Sequence, residues 1–278
     1  MDDRRADEAF LASYDPAAFP PVAVTADVVA FTIRDDELCV LLVRRSRPPY
    51  EGFWALPGSF LRAGAGLEKS ETLEAAAARA LASKTGLSAD ADSAAVSAHN
   101  SAIRVHLEQL RTYGDPGRDP RMTVVSVAYV ALTPAMPEPT AGNGTSDARW
   151  VPVRELELDS QDGQISQSAT VYPLAFDHAR IISDGRERAR SKLEYSALAT
   201  AFVAETFTLS ALRGVYETVW SQRLHASNFA RKVLSAPGFV VPTGETSAHG
   251  GHEGGPRAAL YRAGGEVLLQ PAILRSRS

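Results

Sequence analysis

Two arginines flank an aspartate in the segment HLEQLRTYGDPGRDPR, residues 106–121. Arg118 and Arg121 follow a Gly-Asp-Pro-Gly turn and enclose Asp119. An arginine guanidinium presents several donors in one plane, which matches the oxygen atoms of a diphosphate. The same residues also suit a structural Arg–Asp pair that stabilises a long loop. We therefore expect Arg118 and Arg121 either to bind a diphosphate or to order their loop.

A second candidate group lies on one face of a predicted helix, where positions i, i+3 and i+4 are neighbours. Carboxylates at this spacing could together bind a divalent cation such as Mg²⁺. The residues present are Ala80, Ser83 and Lys84. The sequence therefore predicts no catalytic residue and no metal site here. Lys84 is a candidate for direct contact with phosphate, the alternative being a solvated lysine near a helix C-terminus.

Three glutamates, Glu68, Glu71 and Glu74, precede this face by a turn or more. Acidic residues at a helix N-terminus are favoured by the helix dipole, so we interpret them as a cap and a solvated surface. The alternative is that one of them is recruited to a metal ion, which leaves residual hydrolase activity open.

Helical periodicity in the last third of the chain predicts two helices joined by a tight turn. They are TLSALRGVYETVW (208–220), with Thr208 as N-cap, and the short basic SNFARKVLS (227–235). The second helix is predicted to turn Phe229, Val233 and Leu234 inward and Asn228, Arg231 and Lys232 outward. This pattern suits a helix-turn-helix whose second helix enters a major groove. The competing interpretation is a dimerisation module that binds no DNA.

Two further segments, FVVPTGE (239–245) and PRAALYR (256–262), predict a hairpin that would form the wing of a winged helix. Arg257 lies at the returning end of that hairpin, and we interpret the Gly/His-rich loop between the segments as a wing tip rather than a metal site. His225 precedes the recognition helix and is predicted to cap it or to meet a DNA phosphate.

Composition sets the broad class of the protein. The chain has 278 residues, 45% of them hydrophobic, and one cysteine, so a disulfide framework within the chain is excluded. The polar N-terminus and the lack of a long apolar run predict a soluble cytoplasmic protein. Residues 1–163 contain 16 Lys+Arg against 24 Asp+Glu, and residues 164–278 contain 13 against 9. This asymmetry favours two modules with different partners.

The first module is predicted to be a mixed α/β domain. Its strands are expected at 22–33, 38–45, 52–60, 123–132 and 149–156, and its main helix in SETLEAAAARALASKTGL (70–87), with Ser70 as N-cap and Gly86 as C-cap. The predicted boundaries are a ligand-sensing domain at 1–156, a linker at 157–170 and a DNA-binding domain at 171–278.

The combination of WALPGSF with a helix that ends RALASKTGL resembles the Nudix hydrolases. Glu71 and Arg79 keep the seven-residue spacing of the Nudix motif. The departures from the motif are Ser59 in place of a glycine, a six-residue insertion at 65–70, and Ala80, Ser83 and Lys84 in place of three glutamates. The resemblance implies a Nudix fold that has lost its hydrolytic function.

The ordered set FTLSALRGVYETV, NFARKVL, VPTGE and ALYR resembles the C-terminal domain of the NrtR family, the Nudix-related transcriptional regulators of NAD metabolism. This resemblance implies a homodimeric repressor without a cofactor that binds a palindromic operator near NAD biosynthesis or salvage genes. Its degenerate Nudix domain would sense ADP-ribose or a related nucleotide. The alternative is an active hydrolase of nucleoside-diphosphate sugars such as ADP-ribose.

The residues expected to carry these functions are basic. The expected ligand contacts are Arg45, Arg79, Lys84, Arg118 and Arg121. The expected DNA contacts are His225, Asn228, Arg231, Lys232 and Arg257, with Asn228 at a base edge and the basic residues at phosphates.

Overall fold

The computed structural model describes residues 3–64, 70–90, 95–98, 101–104, 106–132, 137–156, 158, 171–247 and 257–275. Within them the helices are α1 (Asp3–Ser13), α2 (Leu73–Thr85), α3 (His178–Tyr195), α4 (Leu209–Trp220) and α5 (Ala226–Ser235). The strands are β1 (Ala23–Arg34), β2 (Glu37–Arg45), β3 (Trp54–Ala55), β4 (Gly58–Phe60), β5 (Ser88–Asp90), β6 (Ala95–Ala98), β7 (Ser101–Arg104), β8 (His106–Tyr113), β9 (Val124–Leu132), β10 (Thr145–Pro152), β11 (Thr206–Phe207), β12 (Val240–Thr246) and β13 (Ala259–Ala263). No helix in this part of the chain is long and apolar enough to span a bilayer.

The main sheet has the strand order β10–β2–β1–β9–β8, and β3 and β4 pair with β2 and β1. Strands β1 and β9 are parallel, and the other pairs are antiparallel. Strand β1 lies in the centre and is covered on both faces, which explains its nearly continuous apolar sequence.

One face of the main sheet packs against α2 through small side chains. Ala26 and Val28 of β1 form a buried cluster with Ala76, Ala77 and Leu81 of α2. Alanine adds little bulk, so the helix can approach the strands closely. The last turn of α2 accepts hydrogen bonds from the 142–143 segment, and Thr145, just after it, pairs with Arg45 at the end of β2.

The opposite face packs against α3. Val29 and Phe31 of β1 belong to one cluster with Ile181 and Ile182 of α3, and all four side chains are fully buried. Gly185 lies at the point of contact, where an added Cβ would be 3.1 Å from the Val29 side chain. The absence of a side chain at Gly185 therefore sets how close α3 comes to the sheet.

Charged residues of α3 pair with β8 and with the loop that follows it. In order along α3, the pairs are Asp177–Arg118, Arg180–Asp115, Asp184–Arg111, Arg188–Glu108 and Lys192–Glu108. Their spacing of three or four residues on α3 puts them on one face of the helix. We call this set the α3–β8 charge ladder, and it fixes the register of α3 along the edge strand.

The C-terminal module is a winged helix-turn-helix, as predicted. Helices α4 and α5 are followed by the hairpin β12–β13, and β11 completes a sheet with the order β11–β13–β12. Phe229 and Val233 attach α5 to the core, and the ring of Phe229 lies 5.2 Å from that of Tyr216 in α4. These residues share one cluster with α3 and β1, so the core is continuous from the main sheet to the winged helix.

Most predicted elements are confirmed, including the Thr208 N-cap of α4 and the Gly86 C-cap of α2, whose φ is +70°. Two details were wrong. The N-cap of α2 is Thr72 rather than Ser70, because the Thr72 hydroxyl accepts from the Ala75 N–H and the helix begins at Leu73. Leu234 is 55% exposed instead of buried, because Phe229 and Val233 already span the contact of α5 with the core.

The predicted linker, 157–170, lies outside the described residues apart from position 158. Helix α3 follows it and belongs by prediction to the DNA-binding domain, yet it packs on β1, β8 and β9 of the main sheet. The boundaries therefore stay a prediction, with α3 in contact with both modules.

Two glycines in helix interiors are expected to respond in opposite ways to the same substitution. Gly185→Leu forces a side chain against Val29 and Phe31, and we expect the free energy of unfolding to fall by about 1–3 kcal/mol. Among the described residues no atom lies within 4 Å of a Cβ added at Gly214 of α4, so Gly214→Leu should raise the free energy of unfolding by up to about 0.7 kcal/mol through helix propensity. Urea denaturation measures both, and equal effects would contradict the close approach of α3.

Candidate ligand site and nucleic-acid interface

Basic residues converge where β2 ends, beside the loop that follows β8. Arg45, the last residue of β2, donates from Nε to the Pro49 carbonyl at 2.8 Å. Its guanidinium carbon lies 4.9 Å from the centre of the Phe176 ring, in a cation–π contact. Burial, followed by the nearby charge of Arg121, lowers the pKa of Arg45. The guanidinium groups of Arg45 and Arg121 therefore lie near each other at the end of β2.

Arg121 forms the second part of this group. Its Nε and Nη2 donate to the two carboxylate oxygens of Asp119 at 2.9 and 2.6 Å, and these bonds lower the pKa of Asp119. The guanidinium lies 5.1 Å from the centre of the Phe60 ring and 5.8 Å from that of Phe176. Asp119 neutralises Arg121, but Arg45 makes no ion pair within the described part of the chain, so the site retains positive charge.

Lys84 adds a third cation from the last turn of α2. Its Nζ donates to the carbonyl of Asn143 at 2.7 Å. Burial lowers the pKa of Lys84, and the charges of Arg45, Arg47 and Arg79 lower it further. The other two residues of this helix face are Ala80, which is fully buried, and Ser83, whose hydroxyl lies 3.5 Å from the Ala80 carbonyl.

The described residues do not fit the divalent cation that the Nudix motif implies. No group of three His, Cys, Asp or Glu side chains that could hold a metal ion occurs among them. Both oxygens of Glu71 are occupied by Arg79, and Glu74 accepts from the Tyr129 hydroxyl at 3.0 Å. Glu68 lies outside the described residues.

Arg79 has an evident structural role. Its Nε and Nη2 donate to Glu71 at 2.6 and 2.7 Å, and Nη2 also reaches the Phe60 carbonyl at 2.9 Å. Glu71 in turn accepts from the Arg62 backbone N–H at 3.1 Å. This pair ties α2 to the chain that leaves β4. As a ligand contact, Arg79 stays a prediction.

Arg118 pairs with a different carboxylate from the one expected. Its Nε and Nη2 donate to Asp177 at 2.9 and 2.7 Å, and its side chain is 6% exposed. Asp177 is the residue that precedes α3, so Arg118 attaches the 114–121 loop to the start of that helix. A ligand contact by Arg118 stays a prediction.

Three residues of this region were not predicted as site residues. Phe60 and Phe176 stack on the arginines, yet Phe176 in the sequence suggests only core packing. His178 is buried, and its Nδ1 accepts from the Leu56 N–H at 2.9 Å. Burial lowers the pKa of His178, so its imidazole is neutral and joins α3 to the main sheet. This role could not be predicted from the sequence, because His178 and Leu56 lie 122 residues apart in the chain.

The exposed face of α5 carries the predicted DNA contacts. Asn228, Arg231 and Lys232 are exposed, and Arg231 Nη2 donates to the Asn228 side-chain oxygen at 3.3 Å. His225 occupies the N-cap position without a capping bond, and its Nδ1 lies 3.0 Å from the Ser227 hydroxyl. Arg257 is exposed and precedes β13 in the wing. Asn228, Arg231 and Lys232 thus share the exposed face of α5, and their contacts with DNA stay a prediction.

Comparisons with known proteins match both modules. The NUDIX domain family model matches residues 23–172, and the NrtR DNA-binding winged helix domain model matches residues 199–263. The ADPR responsive transcriptional repressor NtrR of Acinetobacter baylyi is 30% identical over 257 residues, which cover 92% of this chain and 88% of that protein.

Two solved structures are also similar. Shewanella oneidensis NrtR complexed with a 27mer DNA is 30% identical, with a TM-score of 0.60, and the match covers 86% of this chain and 93% of that one. The NUDIX domain of the same protein complexed with ADP ribose is 33% identical, with a TM-score of 0.50, over 66% of this chain and 98% of that one. The expected fold class, a Nudix domain followed by a winged helix, is confirmed.

Removal of the Glu71 carboxylate should give a pH-dependent loss of stability. The bonds from Arg79 lower the pKa of Glu71 below its ordinary 4.5, so the charged form stabilises the fold above that pH and the effect disappears as the pH falls through the lowered pKa. We expect Glu71→Gln to cost about 2 kcal/mol near neutral pH and progressively less in acid. Urea denaturation across this pH range measures the difference.

A matched control is Glu155→Gln, because among the described residues the one ion pair of Glu155 is a 3.9 Å contact with Arg154. Its cost should stay below about 0.5 kcal/mol. A Glu71→Gln effect that does not change with pH would refute the ion pair as its cause.

Proposed function

The chain belongs to the NrtR family of Nudix-related transcriptional regulators, and from this premise we propose that it is a DNA-binding repressor that responds to ADP-ribose. The observation that carries the proposal is the continuous core between two basic surfaces. One surface surrounds Arg45 and Arg121 at the edge of the main sheet, and the other is the exposed face of α5. A ligand at the first surface can therefore alter the second through packed contacts.

The ligand surface suits an anionic nucleotide. Arg45, Arg121 and Lys84 supply positive charge that exceeds the negative charge of Asp119, and Phe60 and Phe176 supply apolar surface. A related NUDIX domain has been crystallised with ADP ribose, which supports this ligand class for the present chain. Arg79 and Arg118 would act chiefly by ordering the walls of the site.

The DNA surface suits a duplex with two half-sites. Arg231, Lys232, Arg257 and His225 would contact phosphates, and Asn228 would contact a base edge. A homodimer would place two copies of α5 in successive major grooves of a palindromic operator. Genes of NAD biosynthesis or salvage are the targets that the family membership suggests.

Hydrolysis is not part of the proposed function. A sensor must bind its ligand without destroying it, and Ala80, Ser83 and Lys84 provide no anionic oxygen for a metal ion. The rival function, an ADP-ribose hydrolase, requires that Glu68, Glu71 or Glu74 takes up the metal.

The decisive experiment measures fluorescence anisotropy of a labelled duplex from the upstream region of the protein's own gene, with chelator present. We expect ADP-ribose to weaken DNA binding by roughly 5–150-fold, the usual range of an allosteric coupling. If the protein binds the duplex but ADP-ribose does not change the affinity, the protein is still a DNA-binding regulator, and ADP-ribose is rejected as its ligand. Failure to bind even nonspecific duplex at low salt would support the dimerisation module, and release of AMP in Mg²⁺ would reveal the hydrolase.

Substitution of Arg231 tests the DNA surface separately. Arg231→Ala should weaken binding and reduce the slope of log affinity against log salt by about 1, because one phosphate contact is lost. The control is Arg154→Ala, which removes an exposed arginine that pairs with Glu37 at the start of β2 and should leave the slope unchanged. An unchanged slope in Arg231→Ala would remove this residue from the interface.

A further inference from the structure

The helix face that carries metal-binding glutamates in the Nudix motif carries a lysine in this chain. We propose that the Lys84 ammonium, together with Arg45, forms a diphosphate-binding subsite that replaces the divalent cation, so that the ligand binds without metal. The inference rests on the proposed function for the identity of the nucleotide, but its chemistry concerns any diphosphate.

The position of the ammonium is fixed by the chain around it. Asn143 and Gly142 donate backbone N–H groups to the carbonyls of Ser83 and Lys84, at 2.8 and 3.0 Å, and so close the C-terminal end of α2. The Lys84 side chain returns across this loop to the Asn143 carbonyl, and an added Cβ at Gly144 would be 3.3 Å from Nζ. An ammonium has three donors, so after one is used two remain for phosphate oxygens.

The charges around Lys84 are unfavourable in the absence of an anion. Lys84 Nζ lies at the 143–144 segment, and the chain beside it pairs with the end of β2: Thr145 is opposite Arg45, and the Ser46 N–H donates to the Gly144 carbonyl at 3.3 Å. The charges of Arg45, Arg47 and Arg79 each lower the pKa of Lys84 after the larger effect of burial. No carboxylate is paired with Lys84 in the described part of the chain. Holding these cations together costs electrostatic free energy, and a diphosphate would offset that cost by binding between them.

The same face is unsuited to Mg²⁺. A divalent cation needs anionic or neutral oxygen ligands, and the Nζ of Lys84 would repel it at the position where a carboxylate normally binds it. The nearby acids are committed elsewhere, Glu71 to Arg79 and Glu74 to Tyr129. A lysine ammonium is itself an effective point-charge ligand for phosphate, so it supplies the positive charge directly.

The test is isothermal titration calorimetry of the full-length protein with two probes, ADP-ribose and inorganic pyrophosphate, each in chelator and in Mg²⁺. We expect the wild type to bind in chelator, with no gain of affinity on adding Mg²⁺. Lys84→Gln should weaken binding of both probes about tenfold or more, the usual effect of losing a charged hydrogen bond. Lys84→Arg keeps the charge and should retain most of the affinity.

The charge-matched control is Arg154→Gln, which removes the positive charge that pairs with Glu37, the first residue of β2, whereas Arg45 is the last. It should not change the affinity, and thermal melts establish that each variant is folded. AMP and ribose 5-phosphate, each with one phosphate group, serve as further probes and should bind more weakly than ADP-ribose.

Three outcomes would overturn the subsite: a requirement for Mg²⁺, an unchanged affinity in Lys84→Gln, or no binding of either probe. The first two leave the proposed regulator intact, because ADP-ribose would still bind. Binding of pyrophosphate that depends on Lys84, without binding of ADP-ribose, would support the subsite and reject the proposed nucleotide. The failures of the two proposals are thus separable.

Discussion

Helix α3 is held against the main sheet by an apolar face and a charged face, and it also packs on α4, so it connects the sheet to the winged helix. Ile181 and Ile182 are fully buried, and each such side chain contributes roughly 1.5–3 kcal/mol. The α3–β8 charge ladder adds less energy per pair, because most of its pairs are partly exposed. The ladder instead specifies one position of α3 along β8, because a shift of the helix by one turn would place Arg180 opposite Arg118.

The two ends of α3 meet different partners. At its start, Asp177 binds Arg118 and His178 binds the Leu56 N–H, so the helix is attached to the loop and strands that border the ligand site. At its end, Glu194 binds Arg275 at 3.1 Å, and the Tyr195 carbonyl accepts from the Leu269 N–H at 2.8 Å. The segment that follows the wing therefore returns to α3.

Much of the fold could be predicted from the sequence because its patterns are local. The apolar, β-branched run of β1, the alanine-rich α2 and the Thr208 cap each depend on neighbours in the chain. Less of the candidate ligand site could be predicted from the sequence. Arg121 pairs with Asp119 two residues away, as the sequence suggests, but Arg118 pairs with Asp177 across 59 residues. The segments β5 to β7 and the helix α1 were not predicted, because their sequences lack a clear apolar period.

The same distinction between local and distant contacts applies to the residues of the Nudix motif. The Glu71–Arg79 pair of the Nudix motif remains, because it ties α2 to the chain after β4 and so shapes the site whether or not a reaction occurs. The catalytic carboxylates have no such structural duty. Ser83 and Lys84 are partly buried and lie outside the cluster that Ala76, Ala77 and Leu81 form with the sheet, so these positions can differ from the motif without loss of that core. The Glu71–Arg79 pair therefore shapes the site through its structural bonds, whereas positions 83 and 84 are free to determine what the site binds.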